Sequence, residues 1–329
     1  MLSSAQNSLS PASRPRKMFL DILIFLLVAT ICSAIQGTIQ SIVLTVSIFL
    51  DPDYHEIILS SAESGVIDYD ALMEYMNSFM ESMPSGIFLV LLASSAIYIP
   101  GSIIYCRGIE KRPLLGMGFT KRGLFFEYAI GLLIGAVMIS LPAAVCYLTG
   151  CVSFSLSTSN PIMIALYFLA FILQGMGEEV LFRGYLLTSL SRRHNVWVAI
   201  IASSLMFSAF HISNTNFNLI AFINITLFGI FAGVFMLKRG SIWAVGAIHT
   251  AWNFIQGNVF GLNVSGNPKL DSVLESANAN FGVILSGGDF GIEGGLGATV
   301  VLLIALLTVL AMPAKKSELD TFDDNCCEQ

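Results

Sequence analysis

The sequence predicts an all-α fold, a polytopic membrane bundle of about eight transmembrane helices with both termini on the cytoplasmic side. Two compositional facts and one pattern predict it. Hydrophobic residues make up 55% of the 329 positions and charged residues only 12%. Several runs approach the ~20 apolar residues needed to cross a bilayer. The pattern is the placement of Lys and Arg, which collect in cytoplasmic loops of membrane proteins while acidic residues matter little.

The expected spans lie near 22–48, 85–106, 124–148, 161–191, 195–213, 217–237, 241–260 and 296–312. Basic residues fall at Arg14, Arg16 and Lys17; Arg107, Lys111, Arg112, Lys121 and Arg122; Arg192 and Arg193; Lys238 and Arg239; Lys315 and Lys316. Eight spans put every group on one side, and the opposite loops carry only Lys269; neither six nor seven spans partitions them so cleanly. The 24 Phe and 28 Gly suit such a bundle, because Gly lets membrane helices approach closely. The chain divides into a cytoplasmic segment 1–17, two spans with an acidic outer loop over 18–114, a core over 115–260, an outer loop and last span over 261–312, and a tail over 313–329.

Residues 1–17 resemble the charged start of a signal sequence. The apolar stretch after them is too long for a 7–15-residue signal core and lacks a small-residue cleavage site, so an uncleaved first span is expected. The acidic stretch 49–84 reads as a solvated outer loop, partly helical through Leu72, Met73, Met76 and Phe79. The Gly-rich stretch 286–297 has no phosphate-cradle spacing and reads as a flexible outer loop. Six Cys without a CxxC pair argue against a disulfide framework or a structural zinc site. His55 and His194 read as surface residues. The sequon Asn263-Val264-Ser265 reads as part of an outer loop, open to modification if the host glycosylates. The last four residues, Cys326-Cys327-Glu328-Gln329, make a poor prenylation signal. The net charge of -6 sums loops on both sides of the membrane; no nucleic-acid partner is expected, and the solvent is membrane lipid.

Ionisable residues inside apolar helices mark function. Glu178, Glu179 and Arg183 lie in one span, His211 in the next, and His249 with Asn253 two spans on. Glu179 and Arg183 are i,i+4 with the acid first, the better orientation, and a paired buried charge is tolerated where an unpaired one is very costly. Their expected role is a structural ion pair. Glu178 points about 100° away around the helix and is left for chemistry. At 1.5 Å per residue, Glu178 lies roughly 20 Å from the basic turn at Arg192, His211 roughly 24 Å from Asn195, and His249 and Asn253 roughly 12 and 18 Å from Ser241. Four polar groups in one slab of the membrane point to one site. A desolvated carboxyl is a credible base for activating water, an imidazole can hold that water, and His249 with Asn253 can donate to an oxygen that becomes negative. The implied reaction is amide hydrolysis. Ser208 and Ser213 read as small packing residues.

These residues also carry a resemblance. Glu178-Glu179-Val180-Leu181-Phe182-Arg183 matches EExxxR, Phe207 to His211 matches FxxxH, and His249 to Asn253 matches HxxxN, in this order on successive helices. The chain therefore resembles the CAAX prenyl endopeptidase and bacteriocin-processing family of intramembrane proteases, over about residues 115–260. The resemblance implies a peptide hydrolase with Glu178 as catalytic glutamate, His211 helping to activate water, and His249 with Asn253 stabilising the oxyanion. It further implies a peptide or lipidated-protein substrate, prenylated CAAX-type proteins among them, with lipid between helices, and an active site opening toward the cytoplasm of a multi-pass protein (the plasma membrane in a prokaryote).

No cofactor is favoured. Zinc is the alternative, held by Glu178, His211 and His249; against it, HExxH is absent and no carboxylate that would orient either His is evident in the sequence. A second function class is a peptide-detoxifying or bacteriocin-immunity scaffold without turnover. A proton-coupled transporter would show inverted repeats, and none is visible.

Overall fold

The computed structural model describes residues 16–81, 83–279 and 281–314. Arg14, Lys315, Lys316 and the Cys326–Gln329 tail lie outside the described residues, as does the placement of both termini. In chain order the elements are α1 (Met18–Phe49), α2 (Pro52–Ser64), α3 (Tyr69–Glu81), α4 (Ser85–Gly108), α5 (Leu124–Leu148), β1 (Val152–Leu156), α6 (Pro161–Ser191), α7 (Val196–Ala209), α8 (Leu219–Arg239), α9 (Ile242–Phe254), β2 (Leu274–Asn278) and α10 (Leu296–Ala311). The protein is an α-helical integral membrane bundle. Among the described residues five helices, α1, α4, α5, α6 and α8, are long and apolar enough to span a bilayer.

Each of the eight expected spans contains a helix, but three fall short. α7 has 14 residues, α9 has 13 and α10 has 16. At 1.5 Å per residue α7 covers about 21 Å of a hydrocarbon core about 30 Å thick. The chain beyond α7 and α9 continues as irregular backbone packed into the bundle, which a membrane tolerates only where protein buries it or a cavity faces it. The Gly-rich stretch is the main filling. It is not a free loop: Phe290, Ile292 and Gly291 to Gly295 are buried, and Asn224 of α8 donates to the carbonyl oxygens of Glu293 (2.8 Å) and Gly295 (2.9 Å). Its glycines permit this. At Gly291, with φ +110°, a Cβ would collide with the Asn263 carbonyl oxygen.

The fold is not purely helical. β1 and β2 form a two-stranded antiparallel sheet, with Val152 opposite Asn278 and Leu156 opposite Leu274, so the connection between α5 and α6 is joined to the one between α9 and α10. α2 and α3 occupy the acidic stretch, and α3 contains the expected run from Leu72 to Phe79.

Basic residues gather at one end of the bundle. Arg193 reaches Asp21 (3.2 Å) and Glu110 (3.2 Å), Arg112 and Arg192 also approach Glu110 (3.4 and 3.7 Å), and Arg239 pairs with Glu127 at 2.7 Å. His194, expected on the surface, faces Asp21 at 3.3 Å within this cluster; His55 remains exposed and contacts the Phe49 carbonyl. Lys238 donates to the Leu310 and Met312 carbonyls at the end of α10. The starts of α1, α5 and α9 and the ends of α4, α6, α8 and α10 thus share this basic face. Cys32, Cys106, Cys146 and Cys151 are free and buried.

α5 and α9 meet at glycines. A Cβ at Gly135 would strike the Ile248 carbonyl oxygen and sit 3.0 Å from the Ala251 Cβ. Gly135→Leu is therefore expected to lower stability by about 1–3 kcal/mol through overpacking, read as a drop in the thermal midpoint of the detergent-solubilised protein.

Candidate active site

Four helices frame the site, and each begins with a polar cap. Asn160 accepts from the Ile162 N–H (2.9 Å) before α6, Asn195 from Trp197 (2.9 Å) before α7, Asn218 from Ala221 (3.0 Å) before α8 and Ser241 from Trp243 (3.3 Å) before α9. Caps of this kind satisfy N–H groups that a helix start leaves open. They set the registers that bring distant motifs together. Immediately after Glu179, α6 widens into a π-helix over Val180–Leu187 that contains Arg183, and just beyond Asn253 the chain after α9 forms another over Ile255–Val259, a distortion frequent at functional sites.

Glu178, His211 and His249 converge. The Glu178 Oε2 lies 3.9 Å from the His211 Nε2 and 3.8 Å from the His249 Nε2. The His211 Nδ1 is 2.9 Å from the Phe207 carbonyl oxygen; that oxygen can only accept, so Nδ1 carries the proton and Nε2 offers a lone pair in the neutral ring. The His249 Nδ1 is likewise 2.9 Å from the Glu179 Oε1, which turns its Nε2 toward Glu178.

Glu179 therefore does more than the expected pairing. It accepts from Arg183 at 3.0 Å and from His249 through the same oxygen. No carboxylate that orients either histidine is evident in the sequence; in the fold Glu179 contacts the Nδ1 of His249. Seventy positions separate the two, so only the fold reveals the contact. Arg183 is fully buried, and its guanidinium carbon lies 4.2 Å from the Phe207 ring centroid. This cation–π contact gives the aromatic residue of FxxxH a role, and the same ring stacks edge-on against His211 at 4.8 Å.

Asn253 stands one turn beyond His249 but is joined to Glu178 through a residue that the motifs do not include. Gln174 accepts from the Asn253 Nδ2 at 2.9 Å and donates to the Glu178 Oε1 at 2.7 Å. Its only sequence signal is an amide one turn before Glu178 in an apolar run. Glu293 is the other unanticipated group. Its carboxylate is buried and accepts from the Ser265 N–H, the Ser265 hydroxyl (2.6 Å) and the Trp252 indole (3.1 Å). The sequon is thus built into the wall of the site, with Val264 buried and the Asn263 carbonyl bonded by Gln256. Ser208 is buried and donates to the Phe222 carbonyl, a packing role.

The three groups line a cavity of about 330 Å³, whose walls include Gln36, Gln40, Leu91, Asn214 and residues of the 264–270 connection. Two imidazoles and a carboxylate are the donor types of a hydrolytic zinc site, and Glu179 now supplies the orienting carboxylate such sites use. Among the described residues no group of three or more His, Cys, Asp or Glu side chains is assembled as a metal site; the Glu178 Oε2 stands 3.8 and 3.9 Å from the two imidazole nitrogens.

Residues 160–255 match the model of a protein family described as Type II CAAX prenyl endopeptidase Rce1-like. The match runs from the cap of α6 to the end of α9 and so takes in every motif residue from Glu178 to Asn253. No curated protein and no solved structure matches the chain. Residues 160–255, less than a third of the chain, are thus similar to the family described as Type II CAAX prenyl endopeptidase Rce1-like, which is also the family that the three motifs resemble.

Proposed function

We propose that the protein is an intramembrane endopeptidase that hydrolyses peptide bonds with a water activated by Glu178. The carrying observation is the placement of the Glu178 Oε2 between two imidazole nitrogens, 3.8 and 3.9 Å away, with no hydrogen-bond partner of its own among the described residues. A water there donates one O–H to Glu178 and the other to the His211 Nε2. Glu178 takes the first proton as the water oxygen attacks the peptide carbonyl carbon. The carbonyl oxygen becomes negative beside Asn253, whose amide has a second N–H beyond the one given to Gln174, and beside His249. Collapse of the tetrahedral species breaks the C–N bond, and Glu178 returns its proton to the leaving amine. Glu179, Arg183 and Phe207 touch no reacting atom in this scheme and hold the histidines in place.

A CAAX-type substrate follows from the family likeness alone. The zinc alternative keeps one supporting observation, the carboxylate on the His249 Nδ1. Turnover of quenched fluorescent peptides, farnesylated and unprenylated, by detergent-purified protein with excess 1,10-phenanthroline separates the two. The glutamate mechanism expects the rate to survive the chelator; loss of activity that zinc restores would replace it with a metal-assisted one.

Gln174 is a positioning residue in this scheme. Gln174→Leu strands a buried carboxylate oxygen and the Asn253 amide, at about 1–3 kcal/mol. The expected result is a kcat lowered roughly 5- to 150-fold with KM little changed, measured in the same peptide assay.

A further inference from the structure

Most of the cavity extends away from the basic face. α6 runs toward that face; its lining residues Phe171 and Gln174 precede Glu178, while Leu181 and Phe182 follow it and, with Tyr98 and Phe210, form the cavity floor. α9 runs away from that face, and Asn253 lies beyond His249. Asn214 follows His211 past the end of α7, Phe88 and Leu91 stand near the start of α4, and the 264–270 wall follows α9. Toward the basic face the floor is closed. Phe182 packs on Phe207, Phe210 and Phe25 with ring centroids 5.1, 5.2 and 5.5 Å apart, above buried Arg183, Tyr185, Leu186 and Leu187.

Lys and Arg mark the cytoplasmic side of membrane helices, and Arg112, Arg192, Arg193 and Arg239 all stand at the closed end. We infer that the cavity is loaded from the non-cytoplasmic face by an extended peptide segment, the reverse of the cytoplasmic opening that the sequence leads one to expect. The inference rests on the hydrolase reading for its occupant. The walls suit a peptide backbone, which presents alternating N–H and C=O groups. The amide nitrogens of Gln40, Asn214 and Asn267 are tied to the Leu91, Ser265 and Val264 carbonyls, leaving their side-chain oxygens to accept peptide N–H groups.

The test introduces one cysteine at a time into the full chain with Cys326 and Cys327 changed to Ser, the protein that keeps only the buried Cys32, Cys106, Cys146 and Cys151 serving as the labelling blank: Gln36→Cys within the cavity, Asn267→Cys at its exposed rim and Lys121→Cys on the basic face. A membrane-impermeant maleimide is applied to sealed right-side-out and inside-out vesicles. The expected result is that Gln36→Cys and Asn267→Cys react at least ten times faster in right-side-out vesicles, and Lys121→Cys in inside-out ones. Reaction of the cavity cysteines together with Lys121→Cys, or of Gln36→Cys from neither side, overturns the inference. Labelling does not require turnover, so the pattern is the same in a Glu178→Gln background, and a failed hydrolysis reading is told apart from a failed orientation. Right-side-out vesicles are further expected to cut an impermeant peptide added outside; expected labelling without such cleavage overturns the peptide occupant.

Discussion

Arg183→Leu is expected to cost about 3–5 kcal/mol of stability, the range for removing one partner of a buried ion pair. Arg183 and Glu179 are both fully buried and 3.0 Å apart, so the substitution strands the Glu179 charge and removes the cation over Phe207. At roughly 2–4 °C per kcal/mol, the thermal midpoint in detergent falls by at least about 6 °C. Arg183→Leu combined with Glu179→Gln removes both charges and recovers part of the loss. Equal midpoints for the single and double variants would show that the pair is not what holds this region.

Glu178→Gln is expected to act on rate and leave the fold alone. General acid–base catalysis contributes about 10²–10⁴-fold, and turnover of any cleaved peptide falls by that factor. The amide oxygen of Gln still accepts from Gln174, so the thermal midpoint stays within a degree or two of wild type. Glu179→Gln makes the contrast: it weakens the contacts to both Arg183 and His249 and lowers midpoint and rate together.

The parts of this site that were legible from sequence obey local rules. The Glu179–Arg183 pair follows from i,i+4 spacing, and the common depth of Glu178, His211 and His249 follows from helical rise measured from basic turns. α3 follows from its apolar period. What was illegible is tertiary. The Glu179 contact to His249 spans 70 positions, and Gln174 is a neutral amide that no charge pattern singles out. α7 ends at Ala209 although Phe210 and Ile212 continue the apolar run, because the chain turns toward the cavity there. The Gly-rich stretch looks flexible by composition, yet the absence of side chains is what lets its backbone pack against Asn263 and Leu285. The β1–β2 pairing joins segments more than 100 positions apart, beyond any local signal.

Product identification by mass spectrometry tests the central claim most directly. Unprenylated and farnesylated peptides are incubated with equal amounts of folded wild-type and Glu178→Gln protein, and the new termini are counted. Hydrolysis at a defined bond by wild type, reduced at least 100-fold in Glu178→Gln at an unchanged thermal midpoint, is the predicted result. Cleavage that survives Glu178→Gln at full rate would contradict the assignment of the Glu178, His211 and His249 cluster as the hydrolytic centre.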